Sequence, residues 1–148
     1  MPDKIILYCG NKNYSSWSLR AWLALRKAGA DFDERMVWLG GETSPEELQQ
    51  ISPNGKVPAI EFHGQRFSES IAICELAAEL NPSLMLTTAV EQLWCRSISA
   101  EMHSGFMTIR TKMPMNCRNS GRRIGRDDQI GPRSGAHHGD LAQCPHSP

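Results

Sequence analysis

A proline standing directly ahead of a β-type run constrains this chain more than any other feature. Val57-Pro58 precedes Ala59-Ile60-Glu61-Phe62. Proline has no backbone N–H to give to a sheet ladder, so Pro58 belongs at the mouth of a strand or in a turn. A Val-Pro bond also adopts the cis form at modest cost. A kink there leaves the Val57 N–H and C=O outside the ladder, where a peptide-like ligand can pair with them as an added strand would. The plain alternative is that Val-Pro merely opens a strand. The flanking segments Tyr14-Ser15-Ser16-Trp17-Ser18 and Ser68-Glu69-Ser70 favour the binding reading.

Hydrophobic periodicity places that kink within a larger order. Ile5-Ile6-Leu7-Tyr8, closed by Gly10-Asn11, reads as a buried strand. Trp17, Leu19, Ala21, Trp22, Leu23, Leu25 and Ala28 make a helical stripe, with Ser15 or Ser16 as N-cap and Gly29 as C-cap. Residues 32–39 read as a second strand. Ser44-Pro45-Glu46-Glu47 is a capping box that opens a short helix to about Ile51. Residues 57–62 form a third strand, His63-Gly64-Gln65 a tight link, and Arg66-Phe67 a short fourth strand. A third helix opens at Ser68 or Glu69 and ends at Asn81-Pro82.

The order is βαβ followed by αββα. A right-handed crossover makes the first strand pair parallel, and the hairpin adds two more strands. The expectation is an α/β, thioredoxin-like domain over residues 1–82, with a small mixed sheet and helices on both faces. Beyond it, Val90, Leu93, Trp94, Ile98, Met102, Phe106 and Ile109 repeat near every fourth residue. That spacing predicts one long amphipathic helix to about Lys112, ended by Met113-Pro114. Residues 88–117 form a segment of their own, whose one apolar face must pack on the first domain, on a partner or on missing chain. From Arg118 the only large aliphatics are Ile124, Ile130 and Leu141, so residues 118–148 are expected to be disordered.

Composition narrows the function classes. In 148 residues, 16 Lys and Arg balance 16 Asp and Glu. Zero net charge gives no electrostatic basis for nucleic acid or a membrane surface as partner. No run approaches the roughly 18 apolar residues of a membrane span, and no signal peptide is read. The five cysteines are scattered with no C-x-x-C, which suits reduced thiols and a cytoplasmic location.

With these elements in place, a resemblance becomes specific. Ser15-Ser16-x-Ser18-x-x-Arg20 at the first helix, Lys56-Val57-Pro58 before the third strand and Glu69-Ser70 at the third helix resemble the N-terminal domain of a cytosolic glutathione transferase. Residues 11–20, Asn-Lys-Asn-Tyr-Ser-Ser-Trp-Ser-Leu-Arg, are most similar to the zeta-like group, which includes maleylacetoacetate isomerases. Ser99-Ala100-Glu101-Met102-His103-Ser104-Gly105-Phe106 resembles the first helix of the second domain in bacterial members. The resemblance covers roughly residues 4–117.

It implies an enzyme that uses glutathione as co-substrate, adding its thiolate to a small electrophile or using it for cis-trans isomerisation. A glutathione-binding module without turnover is the alternative, because most of the family's helical domain is not recognisable here. By the resemblance, Ser15 or Ser16 donates a hydrogen bond to the thiolate; a helix N-terminus helps lower a thiol pKa from its ordinary ~8.5. The zeta-like pattern favours Ser15, and the spacing to Arg20 in serine-type transferases favours Ser16. Val57, with Pro58 cis, would hold the cysteinyl backbone. Glu69 would pair with the γ-glutamyl ammonium, and Ser70 with the helix N–H groups would take its carboxylate. Lys56 is a candidate for the glycyl carboxylate. A homodimer is the family expectation, and no metal is implied.

The remaining chemistry-bearing residues have plainer readings. Trp17 occupies the place where some relatives carry Cys. Cys9 is expected to be a small buried hydrophobe. His103 would line an acceptor pocket or face solvent. His137, His138, Cys144 and His146 lack metal-ligand spacing, and Arg118, Arg122, Arg123 and Arg126 make only a weak nucleic-acid signal.

Overall fold

A four-stranded mixed sheet with the order β2-β1-β3-β4 forms the centre of the molecule. The computed structural model describes residues 4–38 and 43–120. Strand β1 (Ile5–Cys9) lies parallel to β2 (Phe32–Met36) and antiparallel to β3 (Ala59–Phe62), which pairs antiparallel with β4 (Gln65–Ser68). The helices are α1 (Ser16–Ala28), α2 (Pro45–Ile51), α3 (Ser70–Leu80), α4 (Ala89–Ser104) and α5 (Met107–Lys112).

The alternation of β1 decides which helix covers which face. Ile5, Leu7 and Cys9 point to one side and pack with Ala21 and Leu25 of α1, Ile60 of β3, and Ile73 and Ala77 of α3. Tyr8 points to the other side, where Val37 and Ala59 are buried with Leu48 and Ile51 of α2. Leu7, Leu25, Ile60 and Ile73 are fully buried, each stabilising the fold by about 1.5–3 kcal/mol over exposure. Helices on both faces of a mixed sheet, in this strand order, are the thioredoxin-like arrangement expected from the sequence.

Local chemistry sets most boundaries where the sequence puts them. Ser15 caps α1, and Gly29 at φ +69° gives its N–H to Arg26 C=O at the other end. Ser44 and Glu47 form the reciprocal capping box of α2, with Pro45 at its first position. His63 and Gly64 both have positive φ, as a two-residue primed hairpin turn requires.

Four boundaries differ from the sequence reading. Strand β2 ends at Met36, although Val37 N–H still reaches Cys9 C=O at 2.7 Å; Leu39 lies outside the described residues. Strand β3 starts at Ala59, because the Val57–Pro58 bond is cis and Val57 stands before the ladder. Strand β4 is longer, pairing Gln65 with Phe62 and Ser68 with Ala59. Helix α3 opens at Ser70, with Glu69 as its non-helical cap.

The long helix is the larger correction. It is two helices, broken at Gly105-Phe106. A Cβ on Gly105 would stand 2.8 Å from the Glu101 carbonyl oxygen, and Phe106 takes φ +64°. The apolar spacing runs on through the break, which hides it. A Thr88/Glu91 capping box starts α4, and a 3-10 turn occupies Pro82–Leu84 in the segment read as loop. Most of the tail assigned to residues 118–148 lies outside the described residues; residues 118–120 are neither helix nor strand. No helix among the described residues is long and apolar enough to cross a membrane.

Candidate functional site

The site begins where β1 ends. Asn11 C=O accepts the N–H groups of Tyr14 and Ser15 at 3.0 and 2.8 Å, which winds the loop into the start of α1. Ser15 Oγ then accepts the Ser18 N–H at 3.3 Å and pairs with Ser18 Oγ at 2.9 Å. Ser18 is 1% exposed, and its hydroxyl accepts the Gly10 N–H at 3.0 Å. A buried hydroxyl needs such partners, because leaving one unpaired costs about 1–3 kcal/mol. Gly10 is the pivot: a Cβ there would stand 2.9 Å from Val57 Cγ2 and 3.3 Å from both Cβ and Oγ of Ser15. The absent side chain therefore lets the helix cap and the Val57 side chain share one corner.

A turn builds the second wall. Ser52 is fully buried, and its hydroxyl meets Asn54 Oδ1 at 2.9 Å. Asn54 Oδ1 also accepts the Lys56 N–H at 3.0 Å, so the turn through Gly55 (φ +63°) is fixed from within. Asn54 Nδ2 donates to Glu69 Oε1 at 2.8 Å and ties that turn to the start of α3. Glu69 has φ +80°, a region that non-glycine residues adopt at a cost of about 1–3 kcal/mol. Beside it Ser70 is 2% exposed, and its Oγ has no hydrogen-bond partner among the described residues. An orphaned buried hydroxyl and the free N–H groups of a helix start together suit an anion.

The helical segment closes over this rim. His103 of α4 places Nε2 3.1 Å from Glu69 Oε2 and sets its ring edge-on to Trp17, centroids 5.4 Å apart. Trp17 is also stacked by the guanidinium groups of Arg20 at 4.2 Å and Arg110 at 4.0 Å. Burial and the Arg110 charge push Arg20 below its ordinary pKa. Arg110 holds the α4–α5 break in turn, donating to Gly105 C=O and Met102 C=O. Asn13 Nδ2 donates to Asn116 Oδ1 at 3.0 Å, and Asn13 C=O accepts the Cys117 N–H at 3.2 Å.

The residues proposed from sequence thus fall into distinct places. Ser15 caps α1 beside Gly10 and Val57, and Ser16 is the first helical residue. Val57 precedes the buried Pro58, and no backbone hydrogen bond among the described residues engages it. Glu69 and Ser70 stand at the start of α3, and the Lys56 side chain is exposed. Cys9 lies in the core, where burial, with the Glu34 charge, pushes its thiol pKa up to about 12. No cluster of metal-ligating side chains occurs among the described residues.

The sequence reading uses Gly10 as the end of the first strand and Ser18 within the helix-opening motif, but assigns neither these nor Asn54 a part in the site. The Asn-Gly turn before Lys56 and the third serine of Ser15-Ser16-x-Ser18 were the signals available for two of them. Nothing marks Gly10 until β1 and Val57 are seen side by side. His103 points inward to Glu69, not to solvent.

The sheet order with helices on both faces defines a thioredoxin-like domain, and a serine at a helix cap, an unpaired backbone before a cis-proline and an open helix start mark its candidate site. Residues 14–80 match the model of the glutathione S-transferase N-terminal domain, so the chain carries a domain of that family over this segment. A probable maleylacetoacetate isomerase of Caenorhabditis elegans is 32% identical over 109 residues, covering 72% of this chain and 50% of the relative. A maleylacetoacetate isomerase of Rattus norvegicus is 34% identical over 82 residues, covering 53% of this chain and 37% of the relative. The chain therefore spans half or less of the length of these relatives.

Solved structures agree on the fold. A glutathione transferase homolog from Burkholderia gl BGR1, with bound glutathione, superposes with TM-score 0.61 at 26% identity, over 73% of this chain and 60% of its own. The theta class enzyme of Xanthomonas axonopodis pv. citri, with glutathione bound, gives TM-score 0.63 at 25% identity, over 76% and 54%.

Proposed function

We propose that this chain binds glutathione in the corner between α1, the Val57 segment and the start of α3, and presents its sulfur as a thiolate for addition to a small electrophile or for cis-trans isomerisation. The observation that carries the reading is the orphaned Ser70 hydroxyl at the start of α3, next to a Glu69 carboxylate. An α-amino acid end carries one carboxylate and one ammonium. Ser70 with the α3 N–H groups suits the first, and Glu69 suits the second. The Val57 N–H and C=O supply the two-point backbone pairing that a central cysteinyl residue needs. Lys56, exposed beside Val57, suits the remaining carboxylate.

Ser15 supplies the thiolate donor. Hydroxyl hydrogens rotate to suit their partners. Ser18 Oγ accepts both the Gly10 N–H and the Ser15 hydroxyl, and rotation of the two hydroxyls on ligand binding would turn the Ser18 proton to Ser15 Oγ and free the Ser15 proton for the sulfur. A donor polarised by a second hydroxyl behind it stabilises negative charge better than an isolated one. Ser16 remains the alternative donor. We place the chain, as its resemblance implies, in the cytoplasm and as a homodimer.

Calorimetric titration with reduced glutathione tests the reading. Stoichiometric binding that falls in Glu69→Ala and in Ser70→Ala supports it, with turnover then lost in Ser15→Ala. Absence of binding by the folded chain would remove it. A glutathione-binding module without turnover is the second reading. Its support is the outward apolar face of α4, where Val90 and Leu93 are 78% and 69% exposed and form no acceptor wall among the described residues. Binding without conjugation across several electrophiles would select it.

A further inference from the structure

We propose that residues 89–117 form a strap that is latched across the start of α1, pins the turn carrying Ser15, and opens while the sheet domain stays folded. The glutathione reading is not needed for this. The first support is where the core stops. Neither buried cluster takes a side chain beyond Ala77. No residue of α4 or α5 is buried. Apolar burial, which holds the sheet domain together, therefore does little to hold the strap.

Two latches hold it instead. At the first, the Arg110 guanidinium of α5 lies 4.0 Å from the Trp17 ring centroid, and the His103 ring of α4 meets the same indole edge-on at 5.4 Å. At the second, Asn13 takes the chain that follows α5. Its Nδ2 donates to Asn116 Oδ1 at 3.0 Å, and its C=O accepts the Cys117 N–H at 3.2 Å. The charge contacts of His103 with Glu69 and of Arg96 with Glu75 involve half-exposed side chains, and contacts of that kind contribute little.

Ser15 stands between the latches. Asn13 is buried two residues before it, and Trp17 is half-buried two residues after it. With the strap closed, the turn is held at both ends from outside, in addition to the Tyr14 and Ser15 N–H bonds to Asn11 C=O. With the strap open, only those internal bonds remain. Contacts so few and so exposed define a segment that opens locally at much lower free energy than the core. The strap thus sets how firmly the cap of α1 is held.

Native-state hydrogen exchange of the whole chain tests this, read residue by residue by NMR. The helix-bonded amides of α4 and α5 are expected to exchange at least about 100-fold faster than those of β1 and β3. Their rates should also rise less steeply in dilute urea, because opening the strap exposes less surface than unfolding the sheet. Trp17→Leu removes the first latch, and Asn116→Ala cuts the second from the strap side. Each is expected to speed α4 and α5 exchange by about two- to five-fold, the scale of one cation–π contact or one hydrogen bond. In Asn116→Ala the Tyr14 and Ser15 amides should accelerate by the same factor. Strap amides as slow as those of β1 and β3, with the same rise in urea, would make the chain one cooperative unit and overturn the proposal. Strap exchange unchanged in both variants would remove the latches and overturn it as well. Tyr14 and Ser15 amides unchanged in Asn116→Ala would overturn the pinning of the turn.

Discussion

Asn54 Nδ2 donates to Glu69 Oε1 at 2.8 Å, joining the turn ahead of the cis-proline to the first residue before α3. Oδ1 of the same Asn54 amide accepts from Ser52 Oγ and Lys56 N–H, so one side chain sets both the turn and the carboxylate. Asn54→Ala is therefore expected to weaken glutathione binding by about five- to ten-fold, the worth of one ordinary hydrogen bond. Calorimetry on the variant measures it. Unchanged affinity would mean that Glu69 needs no help from the turn.

Glu69 combines a binding role with a strained backbone. Its φ of +80° suits glycine, not a residue with a Cβ. Glu69→Ala removes the carboxylate and keeps the strain, whereas Glu69→Gly removes both. The glycine variant is expected to melt several degrees above the alanine variant, from a difference of about 1 kcal/mol. Both should bind glutathione poorly. Equal melting temperatures would show that the backbone at Glu69 relaxes without cost.

Gly10 tests the corner itself. A methyl group there meets Val57 Cγ2 at 2.9 Å and Ser15 at 3.3 Å. Gly10→Ala is expected to push Val57 and Ser15 apart, with a stability loss of about 1–3 kcal/mol from overpacking and a larger loss of glutathione affinity. Thermal melting and titration separate the two effects. A variant that keeps its affinity would show that Ser15 and Val57 act independently.

Much of this architecture is legible in the sequence because its signals are local. Ser44 with Glu47 and Pro45, and Gly29 after the α1 stripe, mark their elements through contacts within a few residues. The Val57-Pro58 kink is equally local. The break at Gly105-Phe106 is not, because Phe106 and Ile109 preserve the apolar rhythm while the backbone turns. The candidate site residues Ser15, Val57, Glu69 and Ser70 are visible through resemblance to a family, and the structure brings Ser15 and Val57 together at Gly10. What holds them is long-range. Gly10 and Val57 meet only through the β1–β3 pairing, and Glu69 and His103 only once α4 folds back. No spacing rule over single segments carries that information.

Cys9 gives a chemical test of burial. Its thiol is enclosed by the sheet and α1, and its pKa is raised to about 12 by that enclosure. A thiol without thiolate character does not react with alkylating agents at neutral pH. Iodoacetamide on the native protein at about pH 8 is expected to label Cys95 and Cys117, which are exposed, and to spare Cys9 until denaturant is added. Peptide mass spectrometry reads the result. Labelling of native Cys9 at the rate of Cys95 would show that the end of β1 opens readily.

Glu34 on β2 predicts how the fold responds to acid. It accepts the Trp22 Nε1–H at 2.8 Å and pairs with Lys12, with Lys12 and Arg26 also set against the Trp22 ring. Burial pushes its carboxyl up, but the bonds from Lys12 and Trp22 and the charges of Lys12 and Arg26 outweigh it and hold the group below its ordinary value. A carboxyl whose folded pKa is depressed contributes stability that is present above its unfolded pKa. That contribution is lost as pH falls through the lower folded value. The strap between α1 and the edge strand β2 should therefore loosen below the ordinary carboxylate range. Glu34→Gln is expected to melt lower than the wild type at neutral pH, with the gap closing as acid protonates the wild-type carboxyl. Melting curves from about pH 7 to about pH 3 measure that convergence. A gap that stays constant with pH would assign the role of Glu34 to shape and hydrogen bonding, not to its charge.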